Sequence, residues 1–213
     1  MRSILSHIVG SDRESAFKFA EVIRAEIFSA ERLEQHAASL ADAQAVTMRP
    51  VAVRPLTARL RDNHKALLDA HRAIAKSIAA GGAITPAAEW LVDNYHVVEA
   101  QMRQVRDDLP PGYYRQLPKL ANGPLAGYPR VLGLAWAFVA HTDSRFDANL
   151  LRQFVAAYQR VQPLTIGELW AIAITLRIVL IENLRRGAEL IASRRVVRQQ
   201  ADRVADRLLG VGG

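Results

Sequence analysis

The chain has 213 residues, of which half are hydrophobic and 23% are charged, with a net charge of +7 and no cysteine. These values are typical of one globular domain or two small ones, and they exclude disulfides, thiolate metal sites and extensive disorder. Basic charge favours acidic partners. However, no aromatic residues interleave with the arginine clusters, so nucleic acid is not an expected partner. The most apolar stretch, residues 169–181, is too short to span a bilayer, which predicts a soluble chain without a transmembrane span.

Helical periodicity dominates, and residues 1–84 are predicted to form an N-terminal segment of two long helices with a proline-containing connector. The first helix is expected to begin at Ser11, which has capping-box spacing with Glu14, and to end near Ala45. Prolines at 50 and 55 predict the connector. The second helix is expected over residues 56–80. Its apolar stripe recurs every three or four residues, at Leu60, His64, Leu67, His71, Ile74 and Ile78.

A core helical domain is predicted over residues 85–192. Its first helix begins at Thr85, a good N-cap, with Pro86 at the first helical position. Prolines and a glycine end that helix and open a long loop over residues 110–129. Further helices are expected over residues 129–142 and 147–161. Another begins at the Thr165–Glu168 capping box.

A basic amphipathic helix and tail are predicted over residues 193–213. The expected fold class is therefore all-α, a multi-helix bundle of long helices with a loop rich in proline, glycine and tyrosine.

Three residues of the first core helix could carry chemistry. Glu89, Asp93 and His96 are spaced by four and three residues, which puts them on one helical face. Two carboxylates and a histidine could bind a metal or move a proton. They lack a further ligand at a diagnostic spacing. The alternative is a polar face in contact with water or with another helix.

The long loop offers a second candidate site. Tyr113 and Tyr114 could stack on sugar rings, while Arg115 and Lys119 could bind phosphate. The alternative is a structural loop that its tyrosines pin onto the helices.

Arg177 interrupts an apolar helix, where an unpaired charge would be costly to bury. It is therefore expected to have a carboxylate partner or to lie at an interface. Asp93, Glu99 and Asp143 are the candidate partners, because the capping box already uses Glu168.

The other polar clusters do not predict catalysis. His64 and His71 lie too far apart along a helix to share one zinc ion, so they are interpreted as core or interface histidines. His141, Asp143 and Ser144 have the residue types of a hydrolase triad, but no nucleophile elbow surrounds them. Phosphate-loop, dinucleotide and zinc-peptidase motifs are missing. We therefore expect no catalytic residue, no cofactor and no metal in this chain.

Several long, irregular runs of sequence resemble the N-terminal region of cyclic β-1,2-glucan synthases. The resemblance is dense over residues 85–186 and looser over residues 41–84 and after residue 191. The runs are EIFSAERLEQHA (26–37), PAAEWLVDNYHVVEAQ (86–101), VRDDLPPGYYRQLPKL (105–120), GPLAGYPRV (123–131), LAWAFVAHTDSRFD (134–147) and VQPLTIGELWAIAITLRIVLIENLRR (161–186).

The resemblance implies a piece of a very large polytopic protein of the bacterial inner membrane. Members of that family polymerise glucose from UDP-glucose through a protein-linked intermediate and then cyclise the chain. The sequence has no transferase metal motif and no phosphorylase-like region, so none of the family's catalytic residues is assigned here. The implied role is a non-catalytic helical module, a truncated product or an excised domain, on the cytoplasmic side of the membrane. Its expected partners are the transferase and membrane regions of the larger synthase.

Two other roles fit the sequence. The chain could be an accessory module that binds glucan or UDP-glucose through Tyr113, Tyr114, Arg115 and Lys119. It could also bind polyanions or a membrane surface through its basic C-terminal helix.

Overall fold

The computed structural model describes residues 22–52, 54–81 and 84–209, which form seven helices and two short strands. In chain order these are α1 (Ala30–Ala43), β1 (Val46–Thr47), α2 (Leu56–Ala79), α3 (Pro86–Asp108), α4 (Pro111–Gln116), β2 (Lys119–Leu120), α5 (Arg130–His141), α6 (Ala148–Val161) and α7 (Ile166–Leu209). The prediction of an all-α bundle is confirmed.

Helix α7 is the central element of the bundle, because it packs against α5, α2 and α3. Helix α2 also packs along α3, whereas α6 packs mainly on α1. One continuous cluster of buried side chains joins these layers, with Leu67, Phe138, Phe154 and Ile178 among its most deeply buried members. The fold is thus organised around a single long helix and one hydrophobic core.

The predicted first helix is wrong over residues 22–29, which are not helical. Their backbone groups bind distant partners instead. The amide of Asn183 bonds to both the N–H and the carbonyl of Ile23, at 2.6 and 3.3 Å. The Ala25 N–H donates to the carbonyl of Ala140 at 3.0 Å. Helix α1 begins only after Ser29, whose side chain caps it. The expected start at Ser11 and Glu14 lies outside the described residues.

The predicted helix starts at Thr85 and Thr165 are confirmed by their caps. The Thr85 hydroxyl accepts from the N–H of Ala88 at 3.3 Å, at the start of α3. At the start of α7 the Glu168 carboxylate accepts from the Thr165 N–H at 2.9 Å, and the Glu168 N–H donates to the Thr165 hydroxyl at 3.2 Å. These reciprocal bonds form the predicted capping box.

The predicted loop over residues 110–129 contains regular structure. It includes α4 and β2, and β2 pairs antiparallel with β1, Val46 opposite Leu120. Gly127 has a φ of +83°, and a Cβ at this position would lie 2.2 Å from the carbonyl oxygen of Ala52. Only glycine fits this close approach of two backbone segments.

Helix α7 runs for 44 residues without a break. It therefore crosses the boundary predicted between residues 192 and 193, and the division of the chain into three parts stays a prediction. From residue 193 onward, its described side chains are exposed. No helix formed by the described residues has a segment long and apolar enough to cross a lipid bilayer.

Candidate functional site

The tyrosines of the predicted sugar-binding loop point into the protein. The Tyr113 hydroxyl donates to the carbonyl of Gly167 on α7, and the Tyr114 hydroxyl donates to the carbonyl of Arg54. Burial raises the pKa of Tyr114 well above its ordinary value of 10. Both hydroxyls therefore hold α4 against neighbouring segments.

Lys119 belongs to the same internal arrangement. Its side chain is buried, and its ammonium donates to the carbonyl of Tyr114 at 2.7 Å and to that of Leu117. Burial lowers the pKa of Lys119, although the nearby carboxylate of Glu168 opposes this effect. Arg115 is exposed. The four candidate residues do not present their polar groups to one open site, which disfavours the sugar-binding hypothesis.

Glu89, Asp93 and His96 lie on the exposed face of α3, opposite its buried stripe. The described residues include no group of three His, Asp or Glu side chains that could hold a metal ion. The arrangement on α3 fits the alternative of a solvated polar face.

Arg177 is half-buried and lies 3.4 Å from the carboxylate of Asp108 at the end of α3. The partner is thus a carboxylate, as expected, but none of the three that the sequence suggested. The pair is partly exposed, at 36% for Arg177 and 43% for Asp108. Water therefore screens this pair, and Arg177 remains available to a further partner.

The histidine-containing clusters have structural contacts. The ring of His141 stacks on Phe28 with centroids 3.9 Å apart. Asp143 pairs with Arg24 at 2.8 Å, and the Ser144 hydroxyl accepts from Asn183 at 2.8 Å. Each member of the apparent triad thus binds a different partner. The two histidines of α2 are also apart: His71 stacks on Tyr95, and His64 lies 3.8 Å from Glu99.

Sequence reasoning missed a buried ion pair between Arg130 and Glu168. One Arg130 nitrogen, Nη2, donates to Glu168 Oε2 at 2.8 Å and to the Pro163 carbonyl at 2.7 Å. Its Nη1 donates to Gln162 Oε1 at 2.6 Å. Glu168 is fully buried, and the same carboxylate closes the capping box with Thr165. It therefore caps α7 and also neutralises the arginine of α5.

A second buried cluster surrounds Glu182 on α7. Its carboxylate accepts from Arg59 at 2.9 Å, from Asn63 at 3.0 Å and from Arg186 at 2.8 Å. Although burial opposes ionisation, these partners lower the pKa of Glu182 to about 2. The guanidinium of Arg186 also lies 4.9 Å from the ring centroid of Trp136 on α5. The cluster therefore joins α2, α5 and α7, and each of its central polar groups is engaged internally.

Two apolar grooves flank α7 and form the candidate functional surface. The α6–α7 groove has a volume of about 520 Å³, and it includes Phe146, Leu151, Val155, Leu169, Ile172 and Leu176. The α3–α7 groove has a volume of about 430 Å³ and includes Trp90, Leu91, Leu184, Ala188 and Ile191. Leu180 lines both grooves. Exposed apolar grooves of this kind are candidate protein interaction sites.

Comparison with known proteins agrees with the sequence runs. No family model matches the chain. The chain is 43% identical over 192 residues to the cyclic β-(1,2)-glucan synthase NdvB of Rhizobium meliloti (strain 1021). The match covers 90% of this chain but only 7% of the length of NdvB. Over nine-tenths of its length, the chain therefore corresponds to a small region of a cyclic β-(1,2)-glucan synthase, as the resemblance predicted.

Proposed function

We propose that this chain is a non-catalytic helical module of a cyclic β-1,2-glucan synthase, the enzyme that transfers glucose from UDP-glucose into cyclic glucan. The module packs against the transferase and membrane regions of the same polypeptide and supports their assembly or regulation. The observation that carries this proposal is the 43% identity to a region that makes up 7% of NdvB. The chain is therefore similar to one small part of a large protein. Such a part is expected to contact other regions of the same polypeptide.

The internal chemistry of the chain supports a structural role. The two buried carboxylates, Glu168 and Glu182, are each held by arginines within the bundle. Tyr114 and Lys119 likewise bind backbone carbonyls. Catalytic groups in enzymes need access to a substrate, whereas these polar groups serve the fold.

The surface supports contacts with other parts of a protein. Trp90 and Trp170 are 52% and 74% exposed, and Phe146 is 65% exposed. Large aromatic side chains are enriched at interfaces, because they bury much apolar area and lose little conformational entropy. We place the module beside the membrane region, at the cytoplasmic face of the inner membrane, in keeping with the family that the sequence runs resemble.

Deletion of residues 22–209 from a synthase that carries this stretch tests the proposal. We expect less folded synthase in the membrane, or a loss of the regulation of its activity. The KM for UDP-glucose of the remaining enzyme should stay within about twofold, because the module holds no substrate. A large rise in this KM, with normal membrane levels and normal folding of the other regions, would contradict the proposal.

Calorimetry of the isolated chain with UDP-glucose and with β-1,2-glucan tests the accessory binding role. We expect no binding tighter than about 1 mM, near −4 kcal/mol. Tighter binding that Arg115→Ala weakens would favour a sugar-binding module instead.

A further inference from the structure

We propose that the α6–α7 groove binds one amphipathic helix from the same synthase polypeptide. This helix has an apolar stripe flanked by acidic residues. This inference rests on the proposed function, and it names the surface and the partner that the function requires.

The shape of the groove follows from how its two walls are packed. Only residues 162–165 connect α6 to α7, so the two helices are neighbours in the chain. However, α6 packs on α1, whereas α7 packs on α2, α3 and α5. The two helices are therefore held by different partners and leave an open trough between them. A trough between two helices is complementary to a third helix, which packs at an interaxial distance of about 8–10 Å.

The lining of the groove fits an apolar stripe. Its buried members include Val155 on α6 and Ile172 and Leu176 on α7. Phe146 lies before α6 and is 65% exposed, and Leu169 on the opposite wall is 37% exposed. The apolar character thus continues from the interior of the bundle out to the edges of the groove. A helix that covered these side chains would extend the core.

Exposed side chains at the start of α7 continue this surface. Ile166 and Trp170 are four residues apart and are 72% and 74% exposed. Residues at this spacing share a helical face, and Ala173 and Arg177 follow on the same face. Ala173 and Arg177 themselves line the groove. The exposed apolar side chains therefore extend over about two turns, from Ile166 to Ala173, and Arg177 continues the same face for a third turn.

The charges at the groove identify the chemistry of its occupant. Arg152 on α6 is exposed and has no ion-pair partner within residues 22–52, 54–81 and 84–209. Arg177, on the α7 wall, has one partly exposed partner, Asp108, at 3.4 Å. Both walls thus present a guanidinium beside an apolar trough. Carboxylates on the docked helix would pair with them, since arginine binds carboxylates with two parallel hydrogen bonds.

The source of the helix follows from the comparison. The matched region makes up 7% of NdvB, so most of such a polypeptide lies outside this region and would be held near it at high effective concentration. A contact within one polypeptide needs only a modest intrinsic affinity. A groove of about 520 Å³ can therefore be large enough for such a contact. A second copy of the chain and a lipid surface are the competing occupants, and the experiment below distinguishes them.

Photocrosslinking in a full synthase that carries this stretch tests the inference. Benzoyl-phenylalanine replaces Ala156 or Ala173, which are exposed on opposite walls of the groove. Matched control positions are Ser39 on α1 and Asp69 on α2, which are exposed on other helices. We expect both groove positions to cross-link to one shared helical segment outside residues 1–213, and mass spectrometry would identify it. Cross-links only to residues 1–21, to a second copy or to lipid would overturn the inference.

The control positions separate this inference from the proposed function. If Ser39 or Asp69 cross-links to another region of the synthase while the groove positions do not, the proposal for the groove fails. The proposal that the chain is a module of the synthase is then still supported. If none of the four positions reaches another region, both proposals fail.

A charge reversal tests the acidic character of the helix. Arg152→Glu should lower the yield of the Ala156 cross-link at least fivefold, because it replaces attraction by repulsion. Arg61→Glu changes an exposed arginine on α2 by the same charge and should leave the yield unchanged. An unchanged yield with Arg152→Glu would refute acidic residues on the partner helix.

Discussion

Arg130 and Glu168 form an ion pair in the core, where the first turn of α5 meets the first turn of α7, with Nη2 2.8 Å from Oε2. The two residues are 38 positions apart in the chain, and their side chains are 6% and 0% exposed. Since the carboxylate also caps α7, the pair fixes where two helices begin relative to each other.

Replacing one partner of this pair should be strongly destabilising. Arg130→Met leaves the Glu168 carboxylate buried without its cation, and we expect the free energy of unfolding to fall by about 3–5 kcal/mol. Urea denaturation measures this change. Arg160→Met removes a partner from the exposed pair with Glu34 and should cost no more than about 1 kcal/mol. Equal costs for the two variants would show that the core pair contributes little.

The cluster around Glu182 predicts a loss of stability in acid. Its pKa in the folded protein is about 2, against an ordinary value of 4.5. The unfolded chain therefore takes up this proton first as the pH falls, and the stabilisation present above pH 4.5 disappears on the way to pH 2. We expect the loss to be about 3 kcal/mol. Roughly 2 kcal/mol of this loss should be complete at pH 3, and urea midpoints at pH 7, 5 and 3 measure that part.

The variant Glu182→Gln is the control for this pH dependence. It should be less stable than the native chain at pH 7, and its stability should change less between pH 5 and pH 3. Glu34→Gln alters an exposed carboxylate and should retain the native pH profile. An unchanged profile in Glu182→Gln would assign the acid sensitivity to another group.

Two glycines should respond in opposite directions to alanine. Gly127→Ala places a Cβ 2.2 Å from the Ala52 carbonyl at a positive φ, so we expect a loss of at least about 2 kcal/mol. Gly187 lies within α7, and no atom would crowd its Cβ. Gly187→Ala should therefore stabilise the protein by roughly 0.5–1 kcal/mol, because glycine is entropically costly in a helix. Melting temperatures of the two variants should move to opposite sides of the native value.

The tyrosines offer a matched test of the internal role of the loop. Tyr114→Phe leaves the Arg54 carbonyl without its donor and should cost about 1–3 kcal/mol. Tyr95 carries a buried hydroxyl that has no hydrogen-bond partner among the residues that the structure describes. Tyr95→Phe should therefore be neutral or slightly stabilising by chemical denaturation. A neutral Tyr114→Phe would leave its hydroxyl free for another role.

Sequence reasoning found the features whose determinants are local. The caps at Thr85 and Thr165 depend on residues within three positions of each other, so their spacing reveals them. The stripe of α2 is local in the same sense: Leu60, Leu67 and Ile74 are buried, and Ile78 is partly buried.

Features that depend on distant partners were missed. Residues 22–29 look helical in the sequence, because no nearby residue shows that their backbone binds elsewhere. The residue that binds the Ile23 backbone, Asn183, is 160 positions away. Arg130 and Glu182 look like ordinary charged positions, and no spacing rule pairs Arg130 with Glu168 across 38 residues. The same limit applies to the candidate surface. The groove between α6 and α7 exists because the two helices pack on different neighbours. These neighbours are determined by tertiary packing.

Helix α7 is packed as far as Ala188 and Ile191, and it continues to Leu209 with its described side chains exposed from residue 193 onward. At a rise of about 1.5 Å per residue, the part beyond Ile191 is about 27 Å long. A tilt of about 10° at Ile191 would carry Leu209 through roughly 5 Å by this geometry. The exposed part of the helix would then serve as a lever arm, since a small rearrangement among the packed side chains would displace its end by about one helical turn.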